Sequence, residues 1–290
     1  MRVERRTYLT PTHGALNVAH VLATHAALVV WFWLGARLPW VVFIPGSVFA
    51  SLVHQRAMSE WAHEAAHGNL VATRRWNDLL ADALTGVWLG LAITTYRATH
   101  LVHHDRDAFF LEGDADTYFL LVRSRREFWA AILGDVTGMT IVRQYLRFRP
   151  ASEPRPGLPP LRRLVVTAAA QVLLIATLFQ LGRLDAYVLY YGTLLLGYPL
   201  LNRLRTYGQH VTLADGRAQF VGSATSRTTD GGVLDRVLFT SPRLLYHHEH
   251  HRQPHLPYRA LRVLCEPSDD VNRYSRRRWV VLRAVYAGLP

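Results

Sequence analysis

The chain has 290 residues, of which half are hydrophobic, and it carries a formal net charge of +12. Long uncharged runs alternate with strongly basic stretches, a pattern that favours a polytopic membrane protein over a soluble protein with one large core. All 33 basic residues are arginine. Given the hydrophobic runs, this charge suits contact with anionic lipid head groups better than binding of nucleic acid. The single cysteine, Cys265, excludes an internal disulfide and any Cys-x-x-Cys site for zinc or an iron–sulfur cluster.

Four uncharged runs approach the length of about 20 mainly apolar residues that a helix needs to cross a bilayer. These predicted spans are Ala15–Ala36, Leu38–Gln55, Leu164–Gly182 and Ala186–Asn202. A fifth run, Ala83–Tyr96, is shorter and predicts a buried or interfacial helix instead. The charged and polar stretch before the first span is unlike a cleavable signal peptide, so we expect that span to remain as an anchor.

Very short links join the spans in pairs, around Arg37 and at Arg183–Asp185, so each pair predicts a helical hairpin. This topology places the N-terminus, residues 56–163 and the C-terminal segment on one side, with every arginine except Arg37 and Arg183. The excess of positive charge predicts that this side, with both termini, is the cytoplasmic face of a bacterial inner membrane. The arginine- and proline-rich residues 143–163 predict an exposed connector between the two halves.

Three histidine clusters lie on the predicted cytoplasmic side and contain eight of the 15 histidines. His63 and His67 are four residues apart, so on a helix their imidazoles share one face and can hold one metal. The other clusters repeat a His-x-x-His-His spacing, with His100, His103 and His104 in one, and His247, His250 and His251 in the other. Imidazole ligands without thiolates suit iron, zinc or copper. Eight ligands are too many for one ion, so the pattern predicts at least two metals.

The sequences around these clusters resemble the histidine boxes of the membrane fatty acid desaturase/hydroxylase superfamily. The similar stretches are HEAAHGNL, TYRATHLVHH and YHHEHHRQPHLPYRAL, and LRTYGQH resembles an additional ligand motif of that family. The resemblance runs from roughly Leu16 to Leu264 and implies that nine histidines hold two irons: His63, His67, His100, His103, His104, His210, His247, His250 and His251. His248 falls outside the box spacing. Gln209 and Thr206 stand where the family's additional motif commonly has glutamate and, in some members, asparagine.

The spans and the boxes together predict an all-α, polytopic membrane protein with about four transmembrane helices in two hairpins. Residues 1–290 form a single domain in this prediction, with the hairpins at 15–55 and 164–202. The cytoplasmic segments 56–163 and 203–290 form a helical cap that holds the di-iron site.

Carboxylates inside or beside the boxes are candidates to accept hydrogen bonds from the metal-bound imidazoles, which usually donate their second N–H to an acceptor. These candidates are Glu64, Asp105, Asp114, Asp116 and Glu249. A solvated acidic turn is an equally good interpretation of Asp114 and Asp116. Of the remaining histidines, His20 and His25 fall in the first predicted span, and His13, His54 and His255 are expected near the membrane interface.

Paired ferrous ions with nitrogen ligands can reduce dioxygen to an oxidant that removes hydrogen from an unactivated C–H bond. The resemblance therefore implies an oxidoreductase, with a fatty-acyl desaturase as the main hypothesis. A hydroxylase or ketolase of a lipid, carotenoid or natural-product intermediate is the alternative, since the same ligands serve both reactions. Electrons must come from an external ferredoxin, rubredoxin or cytochrome-type donor, and an acidic one suits the basic face.

Two hypotheses from other classes remain open. His63-Glu64-x-x-His67 also satisfies the zinc-protease motif, with Glu64 as the general base, although that motif leaves the other histidines unexplained. A non-enzymatic membrane metal carrier is more distant, and it would bind metal without consuming oxygen.

Overall fold

The computed structural model describes residues 4–105, 109–114, 116–147, 161–215, 217–221 and 223–290, and these residues are mostly helical. The helices are α1 Arg5–Tyr8, α2 Pro11–Gly35, α3 Trp40–Ala66, α4 Arg74–Ala81, α5 Val87–Leu89, α6 Ile93–His104, α7 Arg125–Val136, α8 Met139–Arg147, α9 Leu161–Gln180, α10 Leu184–Leu196, α11 Tyr198–His210, α12 Val233–Leu238, α13 His247–Arg252, α14 Tyr258–Leu264 and α15 Arg278–Ala287. The predominance of helix agrees with the predicted all-α class.

The described strands are short and pair two by two. They are β1 Thr212–Ala214, β2 Arg217–Gln219, β3 Thr228–Thr229 and β4 Tyr274–Ser275. β1 and β2 form an antiparallel pair in which Thr212 lies opposite Gln219, whereas β3 and β4 are parallel, with Thr228 opposite Tyr274. The pairing of β3 with β4 joins the segment before α12 to the segment before α15.

α2 and α3, which include the residues of the first predicted hairpin, pack against each other. Thr10 begins α2 by accepting a hydrogen bond from the backbone N–H of His13, and Pro11 occupies the first helical position, where its missing N–H is not needed. Pro45 lies within α3 without ending it. α3 continues beyond the predicted span and brings the first histidine box to its C-terminal end.

Among the described residues, one helix, Pro11–Gly35, is long and apolar enough to cross a membrane by itself. The pair Arg74–Leu89 and Ile93–His104 meets the same criterion only jointly and is bent by 88°. Val165–Gln180 is apolar but shorter. One clear span is fewer than the four that the sequence predicts, so the two-hairpin topology and the cytoplasmic cap remain predictions.

Two predicted elements are divided in the structure. The run Ala83–Tyr96 is not one helix, because a π-helical turn at Asp82–Gly86 leads into α5, and Gly90 then adopts φ = +67° before α6 begins. The predicted span Ala186–Asn202 is divided between α10 and α11 at Gly197. Of the predicted connector 143–163, the two ends belong to α8 and α9, and residues 148–160 lie outside the described residues.

Buried polar contacts hold the C-terminal segment against the long helices. Glu60 of α3 accepts hydrogen bonds from the Ser241 backbone N–H at 2.8 Å and from Arg56 at 2.7 Å, and Arg243 lies 3.3 Å from the same carboxylate. Since an unpaired carboxylate in this dry position would be costly, the arginines make the burial of Glu60 tolerable. The segment before the third box is therefore anchored one helical turn from the first box.

A chain of hydrogen bonds also joins three of the helices. His54 is buried within the protein; its Nδ1 lies 3.0 Å from the Tyr190 hydroxyl and its Nε2 lies 2.9 Å from Nδ1 of His25. Nε2 of His25 donates to the Leu84 carbonyl oxygen at 2.8 Å. Because that oxygen only accepts, the contacts run in one direction from Tyr190 to Leu84 and join α2, α3 and α10.

Candidate metal centre

The first histidine box lies at the C-terminal end of α3, where its backbone is held by side chains from two other helices. Arg97 donates to the Ala66 carbonyl at 2.7 Å and to the Ala65 carbonyl at 2.9 Å, while Asn77 donates to Ala65 at 2.9 Å. The last carbonyls of a helix lack intrahelical partners, so these donors fix the end of α3. His63 and His67 are thereby held on one face of a rigid helix.

The other boxes also lie at helix ends. His100, His103 and His104 occupy the last turns of α6, and His210 is the final residue of α11. The third box forms the short helix α13, which packs on α14. The i, i+3, i+4 spacing predicted from the sequence is therefore realised on helices, and each helix directs its histidines toward a common centre.

The histidines assemble into two adjoining groups. The ligand atoms of each group lie within 4.8 Å of one another; the first group is His63, His67, His100, His104 and His250, and the second is His103, His210 and His251. His247 adjoins the second group, because its Nε2 lies 2.7 Å from Nε2 of His210. The rings of His104 and His251 stack at 4.4 Å between centroids, so the groups share a boundary. All nine histidines of the predicted ligand set are brought together.

Close ring nitrogens mark the interior of the first group. Nε2 of His100 lies 3.0 Å from Nε2 of His67 and 3.1 Å from Nε2 of His104, and Nε2 of His250 lies 3.1 Å from that of His104. Four of the same type of nitrogen therefore converge on one small volume.

Three outer contacts determine which ring nitrogen carries the proton. Nδ1 of His100 lies 2.5 Å from Asp116, Nδ1 of His103 lies 3.0 Å from Asp114, and Nδ1 of His210 lies 3.1 Å from the Thr225 carbonyl. Because these oxygens accept, each Nδ1 donates, and a neutral ring then keeps its lone pair on Nε2. Lone pairs directed toward one another repel unless a cation lies between them.

Burial keeps six histidines of the centre neutral. Desolvation, followed by the proximity of the other imidazoles, lowers the pKa well below its ordinary value for His63, His67, His210, His247, His250 and His251. Metals bind the deprotonated ring nitrogen, so these histidines are in the protonation state that ligation requires.

Several buried nitrogens of the centre have no hydrogen-bond partner within the described part of the chain. They are Nδ1 and Nε2 of His63, Nδ1 of His104, His247 and His250, and Nε2 of His251. Buried polar atoms without partners are rare and costly in proteins. Metal ligation satisfies such nitrogens, so the donor set fits metal ions, and its all-nitrogen character suits iron, zinc or copper.

The candidate supporting carboxylates differ in placement. Asp114 and Asp116 contact His103 and His100, so they are not a merely solvated turn, and Thr117 donates to Asp114 at 2.5 Å. Asp105 is exposed and contacts no histidine among the described residues. It therefore does not support a histidine in the way the sequence suggested.

Neither of the two glutamates makes a hydrogen bond to a ring nitrogen among the described residues. Glu249 accepts a hydrogen bond from the Thr228 hydroxyl at 2.5 Å. Glu64 accepts from the Tyr258 backbone N–H at 3.2 Å and lies 3.9 Å from Nδ1 of His63, and burial raises its pKa to about 8. His248 lies outside both groups, with Nδ1 2.8 Å from the Ser226 carbonyl.

Sequence reasoning missed the residues that support the ligands through long-range contacts. Arg97 and Asn77 hold the end of α3, Thr117 orients Asp114, and the Thr225 carbonyl orients His210. The available signal was Arg97 itself, a single charge three residues before His100 in an otherwise uncharged stretch. Nothing local distinguishes Thr117 or Thr225 from surface threonines.

No curated protein matches the chain. The family model "Fatty acid desaturase" matches residues 38–265, which include every histidine of the centre. The match covers most of the chain, and it is consistent with a metal-dependent, membrane-associated oxidoreductase. The chain therefore belongs to the fatty acid desaturase family.

Proposed function

We propose that the chain is an oxygen-dependent, di-iron fatty-acyl desaturase of the membrane. The observation that carries the proposal is the pair of adjoining groups of imidazoles, His63, His67, His100, His104 and His250 beside His103, His210, His247 and His251. Two groups with shared boundary residues fit two neighbouring metals, and family membership favours iron over zinc or copper. Bound irons supply the oxidant, formed from dioxygen, that removes hydrogen from a C–H bond.

The protein's own contribution is to orient the ligands and to exclude water. Asp116 and Asp114 hold His100 and His103 with Nε2 inward, and the rigid ends of α3 and α6 fix the rings relative to one another. Such outer contacts typically change metal affinity about 10–100-fold. The buried surroundings of the rings keep bulk water from the oxidant, which would otherwise be lost in unproductive reactions.

The proposed enzyme works in a membrane and receives electrons from another protein. The apolar helix Pro11–Gly35 anchors it in the membrane, the boxes and both termini face the cytoplasm, and the acyl substrate enters from the bilayer. Electrons come from an external ferredoxin, rubredoxin or cytochrome-type protein. The net charge of +12 favours a donor with an acidic surface.

The zinc-protease alternative is less well supported by the geometry. A catalytic zinc usually has three protein ligands and an open position, whereas the first group consists of five histidines. The Glu64 carboxylate, the general base of that alternative, accepts a hydrogen bond from the Tyr258 backbone. A hydroxylase or ketolase has the same ligands as a desaturase, and only the product separates them.

The test combines metal analysis with product analysis. Purified chain should contain about two irons, and cells expressing it should accumulate an acyl chain with a new double bond. His104→Ala, which alters the boundary between the groups, should abolish the product while the protein still inserts in the membrane. His248→Ala is the matched control, since His248 lies in the third box but outside both groups, and it should keep metal and activity.

A single zinc per chain would reject the di-iron proposal. Two irons with a new hydroxyl or keto group would keep the metal centre but replace the desaturase by a hydroxylase or ketolase. Metal binding with no oxygen consumption in the presence of reductant would indicate a metal carrier.

A further inference from the structure

A cavity of about 330 Å³ lies between α7, α8 and the 3₁₀ turn Tyr118–Leu120. None of its lining residues is a histidine of the metal centre. Three arginines contribute to its walls, Arg123, Arg143 and Arg203. The cavity is therefore a separate feature, and its charge suggests a ligand of its own.

The innermost arginine, Arg203, is buried and satisfied. It binds Asp135 through Nε at 2.5 Å and Nη2 at 3.0 Å, and Nη1 donates to the Leu120 carbonyl at 3.1 Å and the Tyr207 hydroxyl at 3.0 Å. These contacts fix the wall of the cavity and cancel the charge of Arg203. Arg123 and Arg143 supply the remaining positive charge, and Glu127, which also lines the cavity, offsets part of it.

Arg123 and Arg143 are exposed at the cavity, and within the described part of the chain neither guanidinium has a hydrogen-bond or ion-pair partner. The nearby Glu127 accepts a hydrogen bond at 2.7 Å from the backbone N–H of Arg123, not from its side chain. Guanidinium groups bind carboxylates and phosphates through paired, charge-assisted hydrogen bonds. Two such groups around one cavity favour an anion that both can bind.

Part of the cavity wall is apolar, although Glu127, Thr140 and Gln144 also line it, and its surroundings suit a membrane surface. Leu121, Val122, Ala130 and Ala131 line it beside the arginines. The same two helices expose apolar side chains to their surroundings, namely Trp129, Leu133, Val136, Met139 and Val142. A helix pair with an apolar exposed face next to arginines is typical of the boundary between acyl chains and head groups.

We infer that this cavity binds the carboxylate or phosphate head group of an amphiphile from the membrane, between Arg123 and Arg143, with the start of its hydrocarbon chain against Leu121, Val122 and Ala130. The inference does not depend on the proposed function, because binding requires neither metal nor turnover. The cavity also lies next in sequence to the residues that support the metal centre. The segment that lines the cavity follows directly after Asp114 and Asp116, which orient two histidines of the metal centre.

The test measures binding of octyl phosphate to the full chain in an uncharged detergent by calorimetry, with octanol and inorganic phosphate as comparison ligands. Octyl phosphate should bind, and Arg123→Gln and Arg143→Gln should each raise its Kd about tenfold or more, since a hydrogen bond to a charged group is lost. Arg126→Gln is the matched control, because Arg126 is an exposed arginine of α7 that does not line the cavity. It should leave the Kd unchanged.

Ala130→Trp provides a second variant that fills the cavity from an exposed position and leaves both arginines in place. It should also weaken octyl phosphate binding. Unchanged binding in the arginine variants would overturn the inference, as would octanol binding as tightly as octyl phosphate. Inorganic phosphate binding as tightly as octyl phosphate would show a site for a free anion and would overturn the assignment to an amphiphile.

Discussion

The Asp116 carboxylate lies 2.5 Å from Nδ1 of His100, the ring whose Nε2 lies close to both His67 and His104. This contact sets the proton on Nδ1 and aims the remaining lone pair into the first group of histidines. Asp116 is sixteen residues from His100 in the chain. The orientation and tautomer of a ring in the metal centre thus depend on a loop residue outside the histidine boxes.

Asp116→Ala should lower the affinity of the chain for its metal about 10–100-fold, because His100 loses the acceptor that fixes its tautomer and orientation. Competition against a fluorescent chelator, followed by metal analysis of the full chain, measures the change. Asp105→Ala is the control, since Asp105 directly follows α6 but is exposed. Equal losses in both variants would contradict a specific role for Asp116.

Arg97→Gln should destabilise the protein by about 2 kcal/mol or more, because it removes a partly buried ion pair with Asp78 and two buried hydrogen bonds to the end of α3. Arg74→Gln is a matched control. Arg74 contacts the same carboxylate at 3.5 Å, but its side chain is 58% exposed, so its loss should cost less than about 1 kcal/mol. Thermal unfolding in detergent compares the two, and equal shifts would argue against the support of α3 by Arg97.

The histidine boxes were predictable from sequence because their spacing is local. Helical periodicity placed His100, His103 and His104 on one face without knowledge of the rest of the chain. The division of the histidines between two groups was not predictable, since His104 meets His250 across 146 residues. The same holds for the contacts of the buried His54 with His25 and Tyr190, which lie on other helices.

The packing of the first hairpin leads to a prediction about two glycines. A Cβ at Gly46 of α3 would overlap the indole of Trp31 on α2, so Gly46→Ala should destabilise the protein by about 1–3 kcal/mol. A Cβ at Gly192 of α10 meets nothing within 4 Å, so Gly192→Ala should stabilise by about 0.5–1 kcal/mol through helix propensity. The two variants should shift the thermal midpoint in opposite directions. A shift of the same sign in both would contradict the close contact of α2 and α3.

The only cysteine should react slowly with alkylating reagents. Burial, followed by the nearby Glu249 carboxylate, raises the pKa of the Cys265 thiol to about 12. The thiolate is the reactive form of cysteine. The rate of alkylation of Cys265 by iodoacetamide should therefore increase about tenfold for each pH unit between pH 8 and pH 11. Mass spectrometry of the adduct follows the rate. Asp269→Cys in a Cys265→Ser background, an exposed thiol in the same segment, should react at least about 100-fold faster at pH 8. Similar rates for the two thiols would show that Cys265 is not protected.

Membrane orientation can be tested with the same Cys265→Ser background. Arg37 lies in the exposed turn between α2 and α3, whereas Asp269 lies in the segment after α14. If α2 and α3 form a transmembrane hairpin with the boxes in the cytoplasm, these two positions are on opposite sides of the bilayer. A membrane-impermeant maleimide added to spheroplasts should then label Arg37→Cys, and it should label Asp269→Cys only after permeabilisation. The reverse pattern would invert the orientation. Labelling of both positions in intact spheroplasts would contradict a hairpin that crosses the membrane, because a polar reagent reaches a cytoplasmic thiol only if the membrane is open.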